Sequence, residues 1–196
     1  GLNINIKNNL QNDGTITSTA LGSTITMNGS TAQTIDGSGV WTTGTTGRLL
    51  NLVINNAAGV TSNSTFALQT SLTLAAGALT SSMLTIGIPA TVFTTTRTAG
   101  SLTNAPTFNY TSGAYAITFN GGAAINTGYE LPPSGTPTNG ILTVSTAGTN
   151  VSLQADATIG TLTASIASTT TFNLNGFSLG LTLATPLANT GVINAS

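Results

Sequence analysis

The sequence predicts an all-β chain wound as a right-handed parallel β-helix, or β-solenoid, with short strands. Three observations carry that expectation. Apolar residues alternate with Thr, Ser and Asn at period two, so each run has one buried face and one outward face. Asn and Gly, which tolerate turn dihedrals, punctuate the runs. One stretch also returns further along the chain, as stacked repeat architectures require.

That stretch is Leu50 to Gly87. Leu50, Leu52 and Ile54 point one way, Asn55-Asn56 turns the chain, and Val60 opens a new run. Phe66 and Leu68 follow, then Leu72 and Leu74, a turn at Gly77, and Leu84 with Ile86. The runs are too short and too Thr-rich for helices, because β-branched side chains lose rotamer freedom there and suit a pleated surface. The second copy spans Ile141 to Leu183. Leu142 and Val144 answer Leu52 and Ile54, Val151 answers Val60, and Ile159 answers Leu68, at offsets of 90 or 91 residues.

Taken in order, Leu2, Ile4 and Ile6 share the first strand face, and Asn12-Asp13-Gly14 is a strong turn signal. Thr15 to Thr17 and Ser23 to Met27 read as the next strands, and Ile35 centres another before the Gly-rich DGSG turn. Trp41 and the loop Thr42 to Gly47 precede the reference stretch. Residues 90–139 depart from the pattern, with Pro106, Pro132, Pro133, Pro137 and all three tyrosines. They read as an irregular coil or lateral insertion. Within them, Phe108 to Gly122 resembles a hairpin turning at Thr111 to Gly113. Glu130 to Gly140 reads as a linker-like loop, since Pro cannot donate to a ladder. The expected organisation is one solenoid segment over 1–196, in two related units of approximately 1–98 and 99–196. Leu187 to Ser196 echoes Leu10 to Thr19, with Leu, Asn, Gly and Ile in register, and neither end carries a charged or Pro-rich cap. The chain therefore reads as a segment of a longer array or a subunit that stacks end to end.

In a solenoid of this kind, laps stack about 4.8 Å apart and every backbone N–H and C=O pairs with a neighbouring lap. Inward Leu, Val, Ile and Phe form columns, and stacked Asn can form amide ladders at the corners. About twenty residues per lap would give roughly nine or ten laps. The rival fold is a β-sandwich, which also shows short strands and frequent turns. The long-offset repeat and the lack of charged or Pro-marked edge strands argue against it.

Composition narrows function. Of 196 residues 39% are hydrophobic but only 4% charged, against about 25% in ordinary globular chains. The net charge of −1 gives little colloidal repulsion and permits association. Three cations cannot form the basic stripe that nucleic acid or anionic membrane demands. No apolar run is long enough for a transmembrane helix. The chain begins without Met or a signal peptide, as a mature or excised piece would.

With LQNDGTIT, NGSTAQTIDGSG, LNLVINNAAGVTSNS, LTLAAGALT, RTAGSLTNAPTFNY, ITFNGG, INTGYELP and LNGFSLGLTL in this order, the chain resembles the repeat units of very large secreted Bacteroidetes surface proteins. These are adhesin-like and commonly exported by the type IX system. The resemblance covers nearly the whole chain. It implies an extracellular or cell-surface β-solenoid stalk or filament used in adhesion or motility.

Candidate chemistry is sparse. Without His or Cys there is no Ser-His-Asp triad, no thiol nucleophile and no His or thiolate metal site. No catalytic residue, cofactor or metal site is expected. Glu130 and Asp156 could approach across laps like the acids of polysaccharide-degrading β-helix enzymes, but they read better as two isolated surface acids. Asp36 mimics part of a calcium loop, which needs roughly six to eight oxygens; a plain turn is the better reading. The Gly-rich Thr42 to Gly47 lacks the Lys and helix of a phosphate cradle. The sequons at Asn28, Asn63, Asn109, Asn150 and Asn194 are what an Asn/Thr/Ser-rich chain yields by chance. Trp41, Tyr110, Tyr115 and Tyr129 could stack on sugar rings, though partial burial is the simpler expectation. Thr15 to Thr17, Thr24 to Thr26, Thr94 to Thr96 and Thr169 to Thr171 show no fixed spacing, which argues against an ice-binding array. The leading expectation is a non-enzymatic structural module of a filament or adhesin, with self-association or continuation into related repeats. A carbohydrate- or ice-binding module comes second, and a polysaccharide lyase or hydrolase third.

Overall fold

The computed structural model describes residues 2–16, 22–40, 49–87, 92–109, 113–133, 140–183 and 187–195, without the side chains of 160–164 and 182–183. It is all-β, with parallel strands stacked in a β-solenoid of about 7 turns. Every strand pair among the described residues is parallel, which removes the sandwich.

Each lap contributes one strand to a main ladder that runs the length of the molecule. Its rungs begin Asn3–Ile6, Thr24–Met27, Leu49–Asn55 and Phe66–Ala76, and continue Val92–Arg97, Ala114–Phe119, Gly140–Val144 and Ala157–Ile166. After a corner the chain enters a second ladder in the first laps, from Leu10–Gln11 to Ser101–Leu102. In the later laps it enters a third ladder, from Ala124–Asn126 to Val192–Asn194. A short side ladder joins Phe66–Leu68, Leu84–Ile86 and Thr107–Phe108.

Register turns alternation into columns. Ile4, Ile25, Leu52, Leu72, Thr95, Ile117 and Leu142 stack in one, and Ile6, Met27, Ile54, Leu74, Arg97, Phe119 and Val144 in the next. Leu52, Leu72, Ile54 and Leu74 are fully buried, each worth about 1.5–3 kcal/mol of burial. Leu52 and Leu142 therefore share a column four laps apart, and so do Ile54 and Val144. The ninety-residue repeat is a four-lap repeat. Val60 and Val151 both follow a corner but sit in different ladders, the second and the third.

Four expectations need correction. Steps between laps run from 20 residues (Leu52 to Leu72) to 27 (Ile25 to Leu52), so the laps are fewer than nine or ten. Corners of unequal length account for the spread. Phe108 to Gly122 is no hairpin: Thr107–Phe108 pairs with Leu84–Ile86, and Ala114–Phe119 pairs with the laps before and after it. Residues 92–126 carry ladder strands in step with the rest, in place of an insertion. The echo between the two ends also occupies different places in the lap, since Leu10 joins the second ladder and Ala188–Asn189 the main one. What the echo encodes is a local turn. Asn12 Oδ1 accepts from Gly14 N–H, and Asn189 Oδ1 from Gly191 N–H, both at 3.1 Å.

Amide side chains cross between laps as expected of a solenoid. Asn173 Nδ2 donates to Asn150 Oδ1 (2.6 Å), and Asn28 Nδ2 to Asn5 Oδ1 (3.2 Å). Gln33 is buried and joined to Asn56 (2.9 Å), Gly29 N–H (2.9 Å) and the carbonyls of Ile6 and Asn8.

Candidate binding site

Two non-apolar side chains enter the core columns on the same strand, Val92–Arg97: Thr95 and Arg97, both buried. Alternation along VFTTTR points Phe93, Thr95 and Arg97 inward together. A guanidinium in an apolar column has to be paired, because an isolated buried charge costs several kcal/mol. Its partner is Glu130, which is fully buried and forms the ion pair through Oε1 and Arg97 Nη1. Arg97 Nε donates to Gly100 O (2.8 Å), and Gly128 N–H donates to Glu130 Oε1 (2.8 Å). Burial pushes the guanidinium down to about 10, so it stays charged at neutral pH. Glu130 Oε2 is buried and takes no hydrogen bond from the described residues.

Tyr115 completes the network. It lies flat against Phe93, with ring centroids 6.3 Å apart, and edge-on to Phe108 at 5.5 Å. Its hydroxyl is 2.5 Å from Glu130 O and 2.9 Å from Thr95 Oγ1. A phenol has one proton and a carbonyl can only accept, so Tyr115 donates to Glu130 O and Thr95 donates to Tyr115. Burial holds the phenol above its ordinary 10.0.

Directly above this network the solenoid opens. The side ladder ends at Thr107–Phe108, and the next lap passes that position as the turn Thr127–Pro133, where Pro132 and Pro133 have no N–H to give a ladder. The gap is a cleft of about 330 Å³ lined by Ala105, Phe108, Thr127, Gly128, Tyr129, Leu131, Pro133, Gln154, Ala155, Asp156 and Ala157. Gly128 is the wall between cleft and ion pair. A Cβ there would stand 2.7 Å from Leu102 O and 2.8 Å from Glu130 Oε2. Asp156 Oδ1 accepts from Ser178 N–H (2.7 Å), and Thr127 Oγ1 accepts from Gln154 N–H (3.0 Å).

The structure sorts the sequence candidates. Glu130 is no surface acid. It is neutralised inside, because Arg97 occupies a core column and must be answered from within. Asp156 is exposed and is the one carboxylate lining the cleft. Asp36 closes a turn, with Gly37 N–H on Oδ1 (2.8 Å) and Asn63 Nδ2 on Oδ2 (3.3 Å). Tyr115 is wholly buried, whereas Tyr129 is 52% exposed at the cleft. Trp41, Thr42 to Gly47 and Tyr110 lie outside the described residues. Sequon amides at Asn28, Asn63 and Asn150 are engaged between laps. The Thr runs give a different result from the one their spacing suggested. Thr95 and Thr170 point inward and are buried, but Thr26, Thr73, Thr96, Thr118 and Thr143 stack in one outward column, broken by Val53. Arg97, Phe108, Thr127 and Gln154 went unnoticed as site residues. For Arg97 the period-two pattern was the available signal.

Comparison of the chain with protein-family models, with curated proteins and with solved structures finds no match.

Proposed function

We propose that this chain is a non-enzymatic structural module of an extracellular filament or cell-surface adhesin, stacking end to end or continuing into further laps. The open ladder edges carry the reading. Asn3–Ile6 pairs with one neighbour among the described strands, and Leu2 and Ile4 beside it are 67% and 40% exposed. At the opposite end Val192 and Ile193 are 56% and 39% exposed on the last rung of the third ladder. Unpaired strand edges with apolar side chains are templates for another strand. A net charge of −1 does nothing to hold a second copy away. The resemblance to Bacteroidetes surface repeats supports the cell-surface setting. Sedimentation and electron microscopy of the purified chain test it. End-to-end oligomers that grow with concentration and vanish in the Ile4→Lys, Ile193→Lys double variant are expected. A chain that stays monomeric throughout and is unchanged by those substitutions sinks the stacking.

The outward Thr column favours a second reading. Hydroxyl and methyl groups repeated at lap spacing on a parallel sheet suit an ordered surface such as ice. Thermal hysteresis that disappears in Thr96→Lys, Thr118→Lys is its expected signature, and absence of hysteresis removes it.

A further inference from the structure

In a chain with so few charges, the meeting of Arg97, Glu130, Asp156, Tyr115 and Tyr129 around one gap in a ladder is the most concentrated chemistry among the described residues. We propose that the cleft above Gly128 is a binding subsite for one ring of a neutral sugar. Its volume of about 330 Å³ lies at the lower end of small-ligand clefts, roughly 300–1,000 Å³, and suits one ring. Sugars present an apolar C–H face and a rim of hydroxyls, and the lining has a counterpart for each. Tyr129, a half-exposed aromatic residue, shares the lining with the apolar side chains of Phe108 and Leu131.

The polar side of the lining is already positioned. Asp156 Oδ1 is held by Ser178 N–H, and its Oδ2 takes no hydrogen bond from the described residues, so it is available to a ligand hydroxyl. The backbone of Gln154, in the same lining, is pinned by Thr127, and its side-chain amide donates to Leu153 O (2.9 Å). The apolar floor is rigid too, since Phe108 rests edge-on against Tyr115, whose hydroxyl is tied to Glu130. Preorganised groups lose less entropy on binding.

Charge selects the class of sugar. Among the described residues the lining holds one carboxylate and no cation. Arg97 faces inward onto Glu130 and Gly100, and Lys7 is bonded to Asn28 O in the first lap. A uronic acid or a phosphorylated sugar would meet Asp156 with no cation among the described lining residues to neutralise it.

Saturation-transfer NMR on the full chain tests the proposal, using methyl glucoside, methyl galactoside, methyl mannoside, N-acetylglucosamine and, as the charged control, glucuronate. At least one neutral sugar should show transfer, with glucuronate weaker. Tyr129→Ala and Asp156→Asn should each weaken binding by about tenfold. Both residues are exposed, so far-UV circular dichroism should be unchanged and should confirm that the variants fold. No transfer from any neutral sugar, transfer unaffected by both substitutions, or preference for glucuronate overturns the proposal. End-to-end association is read separately by sedimentation, which these two variants should leave as it is.

Discussion

Arg97 shows how far one residue can depart from a pattern before the fold must answer. It stands in a column with Ile6, Met27, Ile54, Leu74, Phe119, Val144 and Ile166, which ends at the exposed Asn189. Glu130 therefore holds a buried charge in place. Glu130→Ala, which strands the guanidinium, should cost about 3–5 kcal/mol in chemical denaturation. Arg97→Met combined with Glu130→Leu should recover most of that, since a well-packed apolar pair often matches a buried ion pair. A double variant as unstable as the single would show that the pair does more than neutralise itself. Tyr115 gives a pH signature. Its phenol is raised above 10.0 in the folded chain, so the unfolded chain ionises first. The stability this contributes is complete below pH 10 and is lost above it, by up to about 1.4 kcal/mol per pH unit. Denaturation midpoints should fall through that window, and Tyr115→Phe should flatten the fall. Alternation in AYAITF and VFTTTR made both inward positions legible. Glu130 was illegible because it sits in a turn flanked by prolines, where no period says which way a side chain faces.

Strands and corners are where the sequence spoke most plainly. Leu50 to Gly87 reads directly as the strands Leu49–Asn55, Val60–Ser62, Phe66–Ala76, Ala78–Thr80 and Leu84–Ile86. Partner choice was the obscure part. Aromatic runs on either side of Thr111 to Gly113 look like a hairpin because nearby strands usually pair, whereas here each strand pairs with the lap above and below. Corners are as constrained as columns. Gly77 has φ +75°, and a Cβ there would lie 1.8 Å from Asn56 O in the lap beneath. Gly77→Ala combines left-handed backbone strain with a collision against main chain. It should cost more than about 1 kcal/mol by thermal or chemical denaturation. A neutral result would mean the laps are not in contact at this corner.

At the scale of the molecule, each lap touches only its neighbours, so stability is close to a sum of lap-to-lap terms. The first and last laps should then open most easily. Hydrogen exchange at Asn3–Ile6 and Val192–Asn194 should outpace that at Leu52 and Leu72 by more than about tenfold in dilute solution. Raising the concentration should slow the end strands selectively if copies stack. Uniform exchange along the chain would contradict the lap-by-lap picture. The same uniform direction of the strands has one more consequence. Parallel rungs give the molecule a top unlike its bottom, so copies joined top to bottom are related by translation and rotation along the axis, whereas a two-fold join has to pair like edges antiparallel. A top-to-bottom string carries an arrow, and whichever tip is tethered decides which tip is offered to the surroundings.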